Sequence, residues 1–234
     1  MPERDVKEQI PEDTYANRLA NKENLKKWRL KQRAEMTIKA LQKNGFEALY
    51  ASDHDQARAE ILKRVPESAT VGVGGSMTIR EIGILEDLIK RSHVIYDHWK
   101  PGLPQDEILA LRRAQLTCDI FLSSVNALTL QGQLVSTDGI GNRICAMTFG
   151  PKKVILAVGA NKIVRNLDAA LMRIKEVSAP LALKESGVAI PCIQTGICSD
   201  CDSPARLCRA TLILDRKPML TDTTVIVIGE ELGF

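Results

Sequence analysis

The chain has 234 residues, 44% hydrophobic and 26% charged, with 32 basic against 29 acidic side chains and hence a formal net charge of +3. That length can bury a sizeable core, and a charge so near zero gives no electrostatic reason to expect nucleic acid or a membrane surface as partner. Aromatic residues make up 4%, too few for a base-stacking platform, and no apolar run approaches the roughly 18 residues that cross a bilayer.

Met1-Pro-Glu-Arg-Asp-Val-Lys-Glu is charged and lacks the apolar stretch of a secretory leader. A cytoplasmic location, with thiols kept reduced, is therefore expected. From about Asp13 to Asn44 the chain reads as one helix: Leu30, Ala34, Ile38 and Leu41 recur at helical spacing, and Asn44-Gly45 supplies the stop. The charged run from Asn21 to Lys31 reads as a solvated helix face or an oligomer contact. This helical segment, residues 1–45, is set apart from an α/β domain spanning 46–234.

Beyond it, β-rich runs appear at Ala48–Ala51, Thr70–Val73, Val94–Tyr96, Ile120–Ser123, Val154–Val158, Leu212–Leu214 and Thr224–Ile228. Helical patterns at Asp55–Lys63, Thr78–Lys90, Gln105–Leu116 and Lys162–Val177 separate most of them. Such alternation predicts a mainly parallel sheet flanked by helices. Between Val177 and Arg209 the pattern lapses, and a cysteine-rich insertion occupies about 190–210.

Three polar turns are candidate sites. In Val71-Gly-Val-Gly-Gly-Ser-Met-Thr a strand runs into a glycine turn and then a helix, with Thr78 and Glu81 spaced as a capping box and Ile79, Ile82, Leu85 and Ile89 facing inward. Backbone amides of Gly74 and Gly75 with the hydroxyls of Ser76 and Thr78 suit a phosphate or carboxylate; a tight turn with no ligand reads equally well. In the second, Asn126, Asp138, Asn142 and Arg143 are polar groups able to converge at the sheet's C-terminal edge, while Asp138-Gly139 and Gly141-Asn142 also read as a plain hairpin. In the third, Val158-Gly-Ala-Asn-Lys, Asn161 is a natural N-cap, and Lys162 sits at the helix end where an anion would offset its charge, though exposure to solvent explains it equally well. His98, just past a strand and beside Trp99, is placed for a general base or a solvated loop residue.

Cys192, Cys198, Cys201 and Cys208 fall within seventeen residues, with five, two and six residues between them. Four thiolates suit tetrahedral zinc or a [4Fe–4S] cluster, and Cys198-Ser-Asp-Cys201 is a natural knuckle for either; unmetallated thiols or a Cys-x-x-Cys redox pair are the plain alternative.

Taken in order, Gly72-Val-Gly-Gly-Ser, Val125-Asn-Ala-Leu-Thr, Asp138-Gly-Ile-Gly-Asn-Arg, Phe149-Gly-Pro-Lys-Lys-Val-Ile-Leu-Ala-Val-Gly-Ala-Asn-Lys and the cysteine segment resemble the LUD-domain family, named for lactate utilization. The resemblance implies the fold of ribose-5-phosphate isomerase, glucosamine-6-phosphate deaminase and coenzyme A transferase. It also implies a part in oxidising lactate-type organic acids beside iron–sulfur electron-transfer partners, and it favours [4Fe–4S] over zinc. The expectation is a binder of a small anionic metabolite through Gly74, Gly75, Ser76, Thr78, Asn126, Asn142, Arg143, Asn161 and Lys162. Asp138 or His98 would move a proton, and the four cysteines would hold the metal. The alternatives are a non-redox phosphosugar or acyl-carrier enzyme, or a ligand sensor, with structural zinc; a homo-oligomer is an open expectation.

Overall fold

The structure is a computed structural model describing the backbone of residues 14–234 and the side chains of residues 21–234. Asp13 and the charged run Met1–Glu8 lie outside the described residues.

Helix α1 (Thr14–Lys43) ends where Asn44 and Gly45 turn the chain into β1 (Glu47–Ala51). Its buried Ala34 and Leu41, with Leu30 and Ile38 packed alongside, form the stripe that its spacing predicts. Helix α2 (His54–Arg64) starts at Asp53, whose carboxylate accepts from Gln56 N. Then follow β2 (Val71–Val73), α3 (Met77–Ile82), α4 (Ile84–Lys90), β3 (Ile95–Asp97), α5 (Gln105–Ala114) and β4 (Ile120–Ser123). A hairpin of β5 (Ala127–Thr129) and β6 (Leu134–Asp138) leads into α6 (Asn142–Thr148) and β7 (Lys153–Gly159). A 3-10 turn over Ala160–Lys162 precedes the two-residue β8 (Ile163–Val164). Helix α7 (Leu167–Arg173) runs through a π-helical turn, Ile174–Ser178, into α8 (Ala179–Ser186). The short α9 (Cys192–Thr195), β9 (Ala210–Leu214) and β10 (Asp222–Ile228) complete the order.

Six strands form one wholly parallel sheet in the order β1-β10-β7-β4-β2-β3. Its apolar runs alternate between two covered faces, as parallel strands buried on both sides must. Val154, Leu156, Val158 and Phe121 share one core with Ala34 and Leu41 of α1 and Ala146 and Met147 of α6, whereas Ile155, Ala157, Ile120 and Leu122 share another with α2, α3 and α4. A second, four-stranded sheet in the order β8-β5-β6-β9 stands at the end of the first and is covered by α7 through Ala127, Val135, Ala170 and Ile174. Among the described residues no helix is long and apolar enough to cross a membrane.

Four local expectations are corrected. The helix read over Thr78–Lys90 breaks at Gly83 (φ +73°), so Leu88 is buried and Ile89 is turned out to solvent. Its N-cap is Ser76, whose hydroxyl accepts from Ile79 N at 3.4 Å, rather than Thr78. Asn161 caps no helix: Ile163 and Val164 are drawn into the second sheet beside Leu128 and Thr129, and the cap falls to Asn166. The hairpin turn lies at Leu130–Gln133, ahead of Asp138-Gly139, and Gly141 (φ +92°) opens α6 instead.

Candidate functional site

Strand β4 lies between β2 and β7, and the C-terminal ends of all three open on one side. The chain must leave that edge in different directions, which creates the crevice where open parallel sheets take ligands. After β2 come Gly74, Gly75 and Ser76; after β4, Ser124, Val125 and Asn126; after β7, Lys162. A cleft of about 530 Å³ forms there, lined by Gly75, Ser76, Ser124, Asn126, Arg143 and Lys162 among others. A hollow of about 240 Å³ adjoins it, sharing Gly75, Asn126 and Arg143 and extending to Asp138, Asn142 and Cys208.

Gly75 is required by proximity. A Cβ there would stand 3.0–3.3 Å from the indole of Trp99, which walls the cleft and carries Arg80 over its ring at 5.3 Å. Arg80 is fixed in turn by Asp97, with contacts of 2.6 and 2.7 Å.

Lys162 is 3% exposed, and its Nζ meets Thr78 Oγ1 at 2.8 Å and Ser124 Oγ at 3.1 Å. Burial pushes the ammonium down to about 7; the nearby Arg173 and Arg143 add to this, and Glu81 opposes it. Gly233 (φ +59°) closes the far side, where a Cβ would collide with Thr78 and approach Lys162 Nζ to 3.1 Å. Asn161 ties that segment down, donating to Gly233 O at 3.1 Å and accepting from Leu232 N at 3.2 Å.

Arg143 is held by Asp138, whose Oδ1 lies 2.9 Å from Nε and 2.7 Å from Nη2. It also donates to Asn126 Oδ1 at 2.8 Å and Thr137 O at 3.0 Å. Asp138 Oδ2 accepts from Ile144 N at 3.0 Å, so both carboxylate oxygens serve protein donors. That arrangement suits orienting Arg143 more than moving a proton. Arg173 donates to Asn126 O and Ser178 Oγ at 2.6 and 2.7 Å. Arg112 lines both hollows, and its buried Nε has no partner among the described residues.

His98 stands back from this lining. Its Nδ1 lies 2.8 Å from Gln115 Nε2, the same amide that donates to Val73 O and Tyr96 O at 2.8 and 2.9 Å. Burial, reinforced by Arg112, lowers its pKa to about 4 and keeps it neutral near pH 7. Asn142 reaches the same Gln115, its Nδ2 lying 3.4 Å from Gln115 Oε1.

The structure thus gathers Gly75, Ser76, Asn126, Arg143 and Lys162 on one cleft, with Thr78 behind Lys162, Asp138 and Asn142 on the adjoining hollow, and Asn161 in support. Sequence reasoning missed Ser124, Trp99, Arg112 and Arg173. Ser124 carried one usable signal, its place directly after a fully buried strand; the arginines on helices carried none.

The cysteine segment reaches the site because β9 pairs with β6, Asp138 opposite Ala210, which brings Leu207 and Cys208 against the hollow. Cys192 is buried with Leu183 and Ile190 in a small core of its own. Burial, together with the nearby Cys198, Cys201 and Cys208, raises its thiol. Asp200 N donates to Cys198 Sγ at 3.4 Å. The four sulfurs share one lobe, yet among the described residues no three His, Cys, Asp or Glu side chains converge as a metal-binding group. The donor chemistry is right for a soft metal, but as placed the thiols do not fit a closed centre.

Comparison with known proteins adds three findings. The family model described as LUD domain matches residues 34–228. A solved structure described as a DUF162 family protein from Deinococcus radiodurans matches with a TM-score of 0.50 at 13% identity, covering 85% of this chain and 98% of that one. At that identity the likeness bears on the fold alone. No curated protein matches the chain.

Proposed function

The chain belongs to the LUD-domain family, and from that premise we propose that it binds a small organic anion of the lactate type in the cleft beyond β2, β4 and β7, serving organic-acid utilization. One observation carries the reading: Lys162, Arg112 and Arg143 line the cleft with Arg173 behind them, and only Arg143 has a carboxylate as salt-bridge partner among the described residues. Cations so placed repel one another, and an anion bound between them would relieve that repulsion and restore the charge on Lys162. Backbone amides at Gly75 and Ser76 and the Asn126 amide would add directional donors.

A thermal-shift titration of the whole protein with lactate, pyruvate and inorganic phosphate tests this. Saturable stabilisation by at least one of them, lost in Arg112→Met, supports the reading. Absence of any saturable shift sinks it. Preference for phosphate over both carboxylates would favour a phosphosugar ligand instead.

A second reading concerns the cysteine lobe, which we infer takes up a thiolate-ligated centre, [4Fe–4S] or zinc, by drawing Cys192, Cys198, Cys201 and Cys208 together. What favours it is that four thiols share one lobe and Cys208 lines the hollow beside the cleft. Held by those four thiolates, a cluster would supply one-electron transfer to an iron–sulfur partner; no step at the cleft is routed through it. Protein purified without oxygen should absorb at roughly 400 nm if the centre is a cluster; stoichiometric zinc without colour removes the redox role.

A further inference from the structure

Ser124 and Lys162 approach to 3.1 Å just beyond the ends of the adjacent strands β4 and β7. As an ammonium, Lys162 donates to both Thr78 Oγ1 and Ser124 Oγ, and loss of its proton frees one of the two contacts to reverse. Leu232 O can only accept, so Thr78 Oγ1, 3.3 Å away, is its donor. Thr78 must then accept from Lys162 Nζ, leaving the lone pair of a neutral lysine for the proton of Ser124. The competing contact from Ser124 Oγ to Val125 O is long, at 3.5 Å.

The surroundings keep that lysine neutral for part of the time at physiological pH. The charged groups facing it are Arg143 and Arg173, of like sign, and Glu81, whose opposite charge does not offset burial. Both hydroxyls it touches are buried, Thr78 at 0% and Ser124 at 2% exposure, but Ser124 lines the cleft of about 530 Å³ and Thr78 does not. Two residues on, Asn126 has its Oδ1 occupied by Thr137 N and Arg143, leaving its Nδ2 as a donor for the cleft.

We propose that Ser124 and Lys162 are a nucleophile–base pair, giving this protein an acyl-transfer activity towards activated carboxylic esters or thioesters seated in the cleft. Lys162 takes the Ser124 hydroxyl proton as Oγ bonds to the carbonyl carbon, and the Asn126 amide meets the developing oxyanion. The bond to the leaving alkoxide or thiolate breaks, and Lys162 returns the proton to that group. Water, activated by the same lysine, then attacks the acyl-serine, releasing the carboxylic acid and restoring the Ser124 hydroxyl. Neither oxidant nor metal is consumed.

The whole protein is treated with a fluorophosphonate probe, and with p-nitrophenyl acetate followed by stopped-flow, and the adducts are mapped by mass spectrometry. The expected result is one phosphonyl group on Ser124 and a burst of p-nitrophenol. Ser124→Ala should abolish both, while Ser68→Ala, an exposed serine elsewhere, should leave them unchanged. Lys162→Met should slow labelling by roughly 100-fold or more. The wild-type rate should rise with pH through about 7 as Lys162 loses its proton. Should Lys162→Met fail to fold, Ser124→Cys reads the same pair: its thiol should be alkylated faster than Cys145, with the same pH dependence. An unlabelled wild-type protein, or a label that survives Ser124→Ala, overturns the proposal. The inference shares the cleft with the anion reading without needing it. Stabilisation by anions without labelling refutes the nucleophile alone, and labelling without stabilisation refutes the anion reading alone.

Discussion

Asp138 and Arg143, five residues apart, clasp each other across the turn from β6 into α6, Oδ1 meeting both Nε and Nη2 within 2.9 Å. Arg143 is thereby aimed at Asn126 and the cleft instead of at solvent. The pair is 8% and 12% exposed, so removing one partner strands a mostly buried charge. Asp138→Ala should cost roughly 3–5 kcal/mol in urea denaturation and weaken anion binding. A loss below about 1 kcal/mol would mean that water already screens the pair.

The buried lysine gives stability a particular pH dependence. Its pKa is about 7 in the fold against 10.5 ordinarily, so between those values the unfolded chain binds more protons. Stability should therefore rise with pH from about 7 to 10.5, and the cost of burying the charged form is complete below 7. The slope, on the order of a few kcal/mol in all, should vanish in Lys162→Met. Denaturant midpoints of both proteins over this range check it, with shared titrations cancelling in the difference.

Asp119 joins the starts of two strands, its Oδ2 accepting from the backbone and hydroxyl of Thr70 at 2.8 Å and its Oδ1 meeting Lys152 at 2.7 Å. The Lys152 ammonium and the Thr70 donors hold this carboxyl well below the usual range. Its contribution is present above about pH 4, the ordinary aspartate value, and is lost as pH falls towards the depressed one. Asp119→Asn should cost roughly 1 kcal/mol at pH 7, with the difference shrinking in acid. A gap independent of pH would count against the assignment.

Gly75→Ala sets a methyl group against the Trp99 indole, whose position Arg80 fixes. Overpacking of this kind costs roughly 1–3 kcal/mol. Fluorescence of Trp99 should shift, and affinity for any anion should fall more than stability does. An unchanged emission spectrum would show that the indole is free to move aside.

The parallel sheet was legible because its strands are short apolar runs set between helical patterns, Val154 to Val158 most plainly. The second sheet was not, because β8 is two residues long and β5 three, below any usable periodicity. Lys162 stands out in the sequence for its charge beside a glycine turn, but its place off an α-helix does not, since the pairing of Ile163 with Leu128 is a tertiary decision. Ser124 and Thr78 gain meaning only once β4 lies between β2 and β7. Arg112 looks like any solvated helix residue until α5 is docked. The cysteine cluster was the loudest feature of the chain, yet spacing alone says nothing of whether sulfurs turn towards one another.

Strand β10 is the last one described, and it sits inside the sheet between β1 and β7, pairing Glu47 with Thr224 and Lys153 with Asp222. During translation β1 therefore emerges long before its neighbour exists and must wait, edge exposed, until β10 has left the ribosome. The wall formed by Leu232 and Gly233 arrives later still, so a nascent chain lacking this stretch would present open strands to chaperones and proteases before it had any pocket to offer a ligand.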